Sequence, residues 1–523
     1  MISCCYLSNN IILFDNNNKS AFRDMIITIS ELATADLISA VLFLLDKGGY
    51  EMKFSVYNTL TGVKEEVIPV EEGRIKLYTC GPTVYNYAHI GNLRTYVFED
   101  VLKKSMEYIG LEVKHVMNIT DVGHLESDSD TGEDKMALGA IREKKTPWEI
   151  AKFYEVAFFK DCQLLNITEP TIVCRATEHV EDMINFIQIL EKKGFTYIAN
   201  GNVYFSIEKY PDYAKFANLS LEELEAGSRV DVDPFKKNPL DFVLWFTNSK
   251  FSNQIMQWES PWGIGFPGWH IECSAMSMKY LGDRIDIHCG GVDHIPVHHT
   301  NEIAQSESAI GHKWVSYWMH GEFLVLDNGK MSKSKGDFLT LSRLIEEGYN
   351  PLDYRHFCLQ SRYRKQLLFS FESLTESQKA FKKLKSRIKN IVDGKVKGEK
   401  INKTNIKEYQ DKFAAQIRDD LNIANAFTVL SEVIKDNMLN NTEKIYLIED
   451  FDKVFSLNLT LDEGIINIEN VDEEYIQKLI LERNRAREEK NWARADEIRN
   501  VLLESDIELV DSKDNTTWKI MQS

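Results

Sequence analysis

Residues Arg74–Ile109 read RIKLYTCGPTVYNYAHIGNLRTYVFEDVLKKSMEYI, and the fold turns on them. Arg74 to Thr79 alternates like a half-buried strand. From Leu93 the period changes: Leu93, Val97 and Val101 share one helical face, with Phe98, Leu102 and Ile109 beside it. Cys80-Gly81-Pro82-Thr83 and His89-Ile90-Gly91-Asn92 lie between, so HIGN sits where a strand hands over to a helix. Backbone N–H groups and the helix dipole favour phosphate at such a junction, and Gly91 leaves room for a nucleotide to lie close. The next strand pattern, Glu112 to Ile119, ends in Asn118-Ile119-Thr120-Asp121. Polar groups at a strand's carboxyl end mark where open α/β sheets bind ligands. A histidine and a glycine at a helix start are, alone, weak evidence for a nucleotide.

Further along, Trp269 to Gln305 reads WHIECSAMSMKYLGDRIDIHCGGVDHIPVHHTNEIAQ. Five of the chain's 12 histidines and two cysteines, Cys273 and Cys289, fall inside it. His298 and Glu302 stand four apart and share a face if helical. Cys273 is a candidate third ligand, and a thiolate in the set favours zinc over magnesium or calcium. The competing reading is a set of satisfied polar residues around a buried turn.

At 523 residues with 43% hydrophobic content, the chain is long enough for several domains. A net charge of −18 argues against a generally basic surface, while leaving local phosphate-binding patches open. Eight cysteines without regular pairing read as reduced thiols and possible metal ligands. The most apolar short run, Leu37 to Leu45, is too short to span a membrane, and no basic region leads into it as in a secretory signal. The expectation is a cytoplasmic protein without a membrane partner.

Residues 1–51 differ in character, with Cys4-Cys5, the Asn-rich FDNNNKS and one plausible helix near Glu31 to Asp46. They read as an added or doubtful segment before Met52, a docking helix being the alternative. Residues 52–372 read as an α/β domain carrying an insertion at about 133–250, which is helical at first and extended and aromatic from Gly201 to Phe246. A strand-like Glu322 to Leu326 precedes Lys330-Met331-Ser332-Lys333-Ser334 in a glycine-flanked loop. Charged helices follow over 373–465, including the basic Lys379 to Lys400 and a helical Gln416 to Asp436, and a small helix-plus-strand unit closes the chain over 466–523.

HIGN and KMSKS in one chain, with an α/β pattern between them, resemble the two signatures of class I aminoacyl-tRNA synthetases. With CGPTVY, WHIECSAM and HHTNEIAQ added, the chain from about residue 53 onward resembles the cysteinyl-tRNA synthetase family. The resemblance implies a Rossmann-like α/β catalytic domain with an inserted connective domain, a helical anticodon-binding bundle and a small C-terminal unit. It implies zinc held by Cys80, Cys273, His298 and Glu302, and it alone brings in Cys80. ATP is expected at Pro82, Thr83, His89, Gly91 and Asn92 and at Lys330, Met331, Ser332, Lys333 and Ser334, accompanied by Mg2+. Catalytic roles fall to His89, Asn92, Lys330 and Lys333, and the cysteine pocket to Thr120, Trp269, His288 and Asp293. For His288, a hydrogen bond supporting the metal cluster is an equal alternative. Asn92 departs from the family's second histidine: it still offers an amide N–H but no positive charge. Thr300 and Cys289 receive no functional role.

The reaction implied is activation of L-cysteine by ATP and transfer to tRNA(Cys), performed by a monomer. Zinc would select the thiol over serine's hydroxyl without an editing domain. The region from residue 373 is expected to act as a separable tRNA module, with Arg483, Arg485, Arg487, Trp492 and Arg494 candidates for the anticodon. Competing readings are a ligase joining cysteine to a small amine, and a non-catalytic RNA-binding relative.

Overall fold

The computed structural model describes residues 53–123, 145–217, 233–248, 255–326 and 339–461 continuously. It adds strands at Ile2–Leu7, Asn10–Asp15, Gly329–Lys330, Ile507–Asp511 and Thr516–Ile520 and isolated helical positions between 479 and 502. Met331, Ser332, Lys333, Ser334, Trp492, Arg494 and the helix expected near 31–46 lie outside the described residues.

Five strands form a wholly parallel sheet: β1 (Arg74–Thr79), β2 (Glu112–Ile119), β3 (Ile172–Arg175), β4 (Ile285–Gly291) and β5 (Val315–Gly321). Their spatial order is β5-β4-β1-β2-β3. The order reverses between β1 and β4, and such a switch point opens a crevice beyond the strands' carboxyl ends. Cys80 follows β1 directly, and Gly290 and Gly291 end β4, so both border that crevice.

Helix α1 (Ile90–Tyr108) follows β1, α2 (Pro147–Leu164) precedes β3, and α3 (Val180–Lys192) follows it. Helices α4 (Trp269–Leu281) and α5 (Thr300–Ile310) flank β4. The sheet is covered on both faces, so apolar residues of its strands point to each side. Ile75, Leu77, Val113 and Met117 pack with α1 residues Leu93, Val97 and Val101 on one face. Tyr78, Val116 and Ile285 pack with Met183, Ile271 and Ile303 of α3, α4 and α5 on the other.

The span 133–250, expected as an insertion, contributes to two sheets. Helix α2 and strand β3 fall inside that span yet belong to the catalytic layers. A four-stranded antiparallel sheet over Thr196–Ala199, Asn202–Phe205, Phe242–Phe246 and Phe266–Pro267 is the part that stands apart. Only four residues long, β3 pairs with β2 at the sheet's edge and shows no alternation that would announce a strand.

Beyond the sheet, α6 (Pro351–Leu359) leads into α7 (Phe371–Asp393), α8 (Lys403–Ile417), α9 (Ile423–Lys435) and α10 (Asn441–Phe455). Four of these five starts carry a side-chain cap: Asn350 with Pro351 at the first helical position of α6, Ser370 for α7, Asn402 for α8, and the Asn440–Glu443 box for α10. The bundle core of Phe381, Phe413, Val429, Leu430, Phe451 and Phe455 is continuous with the core under α1. Tyr108 at the end of α1 donates to Asp450 at 2.7 Å and packs edge-on to Phe413. The bundle is thus fused to the catalytic body through one apolar core.

Candidate functional site

A cleft of about 250 Å³ opens at the switch point. Its walls include Cys80, Pro82, Thr83, His89 and Asn92 from the first signature, together with Thr120, Trp269, Cys273, Asp293 and His298. Two glycines make the close packing there possible. A Cβ on Gly81 would lie 1.6 Å from the Asn118 carbonyl oxygen, and one on Gly290 would meet His294 Nδ1 at 2.6 Å.

His89 caps α1, its Nδ1 accepting from the Asn92 N–H at 2.9 Å while the Asn92 Oδ1 faces the His89 N–H at 3.4 Å. With Nδ1 accepting, a neutral ring carries its proton on Nε2. Asn92, in the place of the family's second histidine, is therefore the third residue of a capping box. The Ile90 N–H donates to the Leu339 carbonyl at 2.8 Å, and His89 bridges to Thr340. Lys330 pairs with Val325 on the strand Leu324–Leu326. Both ends of the second signature's loop are thereby anchored beside the first signature.

Cys80, Cys273, His298 and Glu302 converge so that one donor atom from each lies within 4.8 Å of the others. Cys80 Sγ is 4.0 Å from Cys273 Sγ, and Cys273 Sγ is 3.6 Å from His298 Nε2. His298 Nε2 lies 2.9 Å from Glu302 Oε1, but that oxygen is buried without hydrogen-bond geometry to any donor. A cation between them satisfies this arrangement. A π-helical turn, Ile295–His299, precedes α5 and directs both His298 and His299 inward.

A second set, Cys80, His288, His299 and Glu302, meets the same distance criterion. In the first set Cys80, Cys273 and His298 all face the cleft; in the second only Cys80 does. The first set alone would present a bound ion to a ligand in the cleft.

The surrounding groups orient the donors. His270 Nδ1 lies 3.0 Å from His298 Nδ1, so a proton on the latter leaves Nε2 as the donor atom. His288 Nε2 donates to Glu302 Oε2 at 3.0 Å, turning the other carboxylate oxygen toward the cluster. His288 is fully buried behind Glu302 and is not among the cleft-wall residues, so of its two expected roles this geometry is that of the supporting hydrogen bond. Burial opposes ionisation of Glu302, but His288 and His298 outweigh it and bring the carboxyl to about 2. His298 is held at about 10 against burial, chiefly by Glu302. The hydrogen bond from Cys80 brings the Cys273 thiol down to about 6, while burial and that same contact hold Cys80 well above its usual value. One thiolate and one carboxylate thus form readily beside a protonated His298, and a divalent cation taking the place of that ring's Nε2 proton suits the same charges.

Several supporting residues escape a reading of the sequence. Thr120 Oγ1 accepts from Asn118 Nδ2 at 3.1 Å and donates to Glu272 Oε2 at 2.9 Å. Burial, then Cys273, raises the Glu272 carboxyl well above the usual range. Gln305 Nε2 bonds the His270 carbonyl and Ser274 Oγ, and Ser306 bonds Ser274 at 2.8 Å, locking α4 to α5 and so Cys273 to Glu302. Thr300 turns its hydroxyl to the Ile295 carbonyl at 2.7 Å, away from the metal donors. Arg483 is buried and unavailable to an anticodon, whereas Arg485 and Arg487 are exposed.

Residues 66–379 match the family model for the tRNA synthetases class I (C) catalytic domain. Two solved structures share the fold: Mycobacterium tuberculosis methionyl-tRNA synthetase bound by methionyl-adenylate, and an Agrobacterium radiobacter K84 ternary complex of LeuRS, tRNA and LeuAMS. The first has a TM-score of 0.50 at 15% identity, covering 73% of this chain and 90% of that one. The second has a TM-score of 0.52 at 11% identity, covering 75% and 84%. Parallel sheet, switch-point cleft and paired signatures define a class I aminoacyl-tRNA synthetase. Among curated relatives, the cysteine--tRNA ligase of Treponema denticola is 49% identical over 493 residues, covering 90% of this chain and 100% of that protein. That of Borrelia garinii subsp. bavariensis is 46% identical over 485 residues with the same coverage. The chain belongs to the cysteine--tRNA ligase family.

Proposed function

We propose that this chain activates L-cysteine with ATP and transfers it to the 3′ end of tRNA(Cys), and that the ion held by Cys80, Cys273, His298 and Glu302 is zinc. The observation that carries this reading is the placement of three of those donors in the wall of the cleft that also holds His89. When bound, zinc supplies a soft acceptor for the substrate's thiolate, a bond that a serine hydroxyl does not offer.

The chain's own residues supply positioning and charge. In the first step the cysteine carboxylate attacks the α-phosphate of Mg2+-bound ATP, forming cysteinyl-adenylate and releasing pyrophosphate. His89 Nε2–H and the α1 terminus face the phosphates, with Asn92 fixing the His89 ring. Lys330 and Lys333 bring positive charge to the leaving pyrophosphate. Trp269 and Asp293 bound the amino-acid pocket, and Thr120, tied to Asn118 and Glu272, gives it a fixed wall. In the second step a ribose hydroxyl of the terminal tRNA nucleotide attacks the cysteinyl carbonyl and AMP leaves. The exposed lysines of α7 and of the segment after it, from Lys379 to Lys400, offer phosphate contacts to the tRNA body.

The test is pyrophosphate exchange into ATP with each amino acid in turn. Cysteine should support exchange and serine should be poorer by more than about 1,000-fold, beyond what a pocket alone achieves for one small group. Equal exchange with serine, or none with cysteine, would overturn the reading.

A further inference from the structure

A strip of exposed aromatic and apolar side chains borders the cleft without taking part in the site described above. On α2, Trp148, Phe153 and Val156 are 49%, 41% and 56% exposed, although large apolar side chains usually find cover. The strip is continuous with the cleft through ring contacts. Phe153 packs edge-on to Tyr154 at 5.1 Å, and Tyr154 to Tyr87 at 5.0 Å; Tyr154 and Tyr87 are both cleft-wall residues. Lys145 Nζ stands 4.3 Å over the Phe153 ring. Lys152 is exposed on the same helix, at 3.7 Å from Glu155.

We propose that this strip is the landing for the unpaired 3′-terminal nucleotides of the tRNA, which stack on Phe153 and Trp148 on their way into the cleft. The assignment rests on the function proposed above, which requires a polynucleotide end to enter there. Three observations favour a single strand over other occupants. Tyr87, Tyr154 and Phe153 touch in turn along a path that begins in the cleft wall, with Trp148 exposed on the same helix, and every base has a face to stack on a ring. Lys145, over the Phe153 ring, and Lys152 on the same helix place positive charge beside the rings, where a nucleotide chain carries its phosphates. The residues closest to the cleft are aromatic, whereas the pocket for cysteine is polar and built around sulfur and imidazole donors.

The experiment compares wild type, Phe153→Ala, Trp148→Ala and Phe153→Tyr in the full chain. Cysteine-dependent pyrophosphate exchange needs no tRNA and is expected to stay unchanged in all four; its absence in wild type would fell the proposed function itself. Binding is then measured for intact tRNA and for the same tRNA lacking its last three nucleotides. Wild type should prefer the intact molecule, and each alanine variant should lose about tenfold of that preference. Phe153→Tyr, which keeps the ring, should retain it. Alanine variants that discriminate as well as wild type, while exchange is intact, would overturn the proposal and assign the strip to another partner.

Discussion

Replacing Arg355 by methionine should weaken the whole molecule, because three elements meet on one buried guanidinium. Arg355 Nη2 donates to Asp100 of α1 at 2.6 Å, Nη1 to the Leu165 carbonyl at the end of α2 at 2.9 Å, and Nε to the Phe455 carbonyl at the end of α10 at 2.7 Å. Methionine retains much of the stem's bulk and none of these donors. Breaking a buried pair by removing one partner costs about 3–5 kcal/mol. Asp100 keeps Lys104 Nζ and the Thr168 N–H, each at 2.8 Å, which places the expected loss near the lower end, about 3 kcal/mol. Against a typical total of about 5–15 kcal/mol, that is a large fraction. Urea unfolding of both proteins measures it through the midpoint shift. The pH dependence supplies a second readout. Burial raises the Asp100 carboxyl, but Arg355 and then Lys104 outweigh it and hold it below its ordinary range. A depressed carboxylate stabilises fully above its unfolded value, about 3.9, and loses that contribution as pH falls through the folded value. Without Arg355 the depression shrinks, so the gap between wild type and variant should narrow in acid. Adding Asp100→Asn to Arg355→Met should recover part of the loss. A loss below about 1 kcal/mol, or strict additivity in the double variant, would refute the reasoning.

Metal analysis of purified protein should find zinc in wild type and a large loss in Cys273→Ser; retention of zinc would reject the donor set. His298→Ala should lose metal while His299→Ala keeps most of it, and the reverse result would select the deeper set with His288 and His299. His89→Ala should slow adenylate formation by about 100-fold or more. Asn92→Ala should stay within about tenfold of wild type, because the Asn92 N–H that orients His89 belongs to the backbone and survives the substitution; comparable losses in both, measured by pyrophosphate exchange, would assign Asn92 a direct part. Lys333→Ala should slow adenylate formation strongly with cysteine affinity nearly intact, as expected of a charge acting in the transition state; collapse of cysteine binding alone would contradict that role.

Strands Arg74–Thr79 and Glu112–Ile119 were legible because they join a regular pattern to a polar end, and the helix after HIGN because its apolar period is unbroken. The metal donors were legible in part: His298 and Glu302 announce themselves by spacing, whereas Cys80 joins them only when β1 and β4 lie side by side. Glu272, Ser274 and Gln305 leave no local signal, since a buried polar residue is marked by its partners and those come from another helix. Strand β3 was hidden because it is only four residues long, too short for a pattern to declare itself.

The same limitation explains why a separable tRNA module was expected after residue 373. The apolar stripe of α1 says that something covers it, not that the covering comes partly from α8 and α10. At about 1.5 Å per residue, the 19 residues of α1 span roughly 28 Å. One end of that rod is capped by His89 in the cleft. The other is gripped by Asp450 and Phe413 of the bundle, with Arg355 clasping its middle. Removing the bundle would uncover Tyr108, leave Asp100 with a guanidinium that has lost the Phe455 carbonyl, and strip apolar cover from the helix that orients His89. Testing the proposed tRNA contacts apart from activation therefore calls for charge changes on the exposed lysines of α7, which leave the shared core intact, rather than for deletion of the bundle.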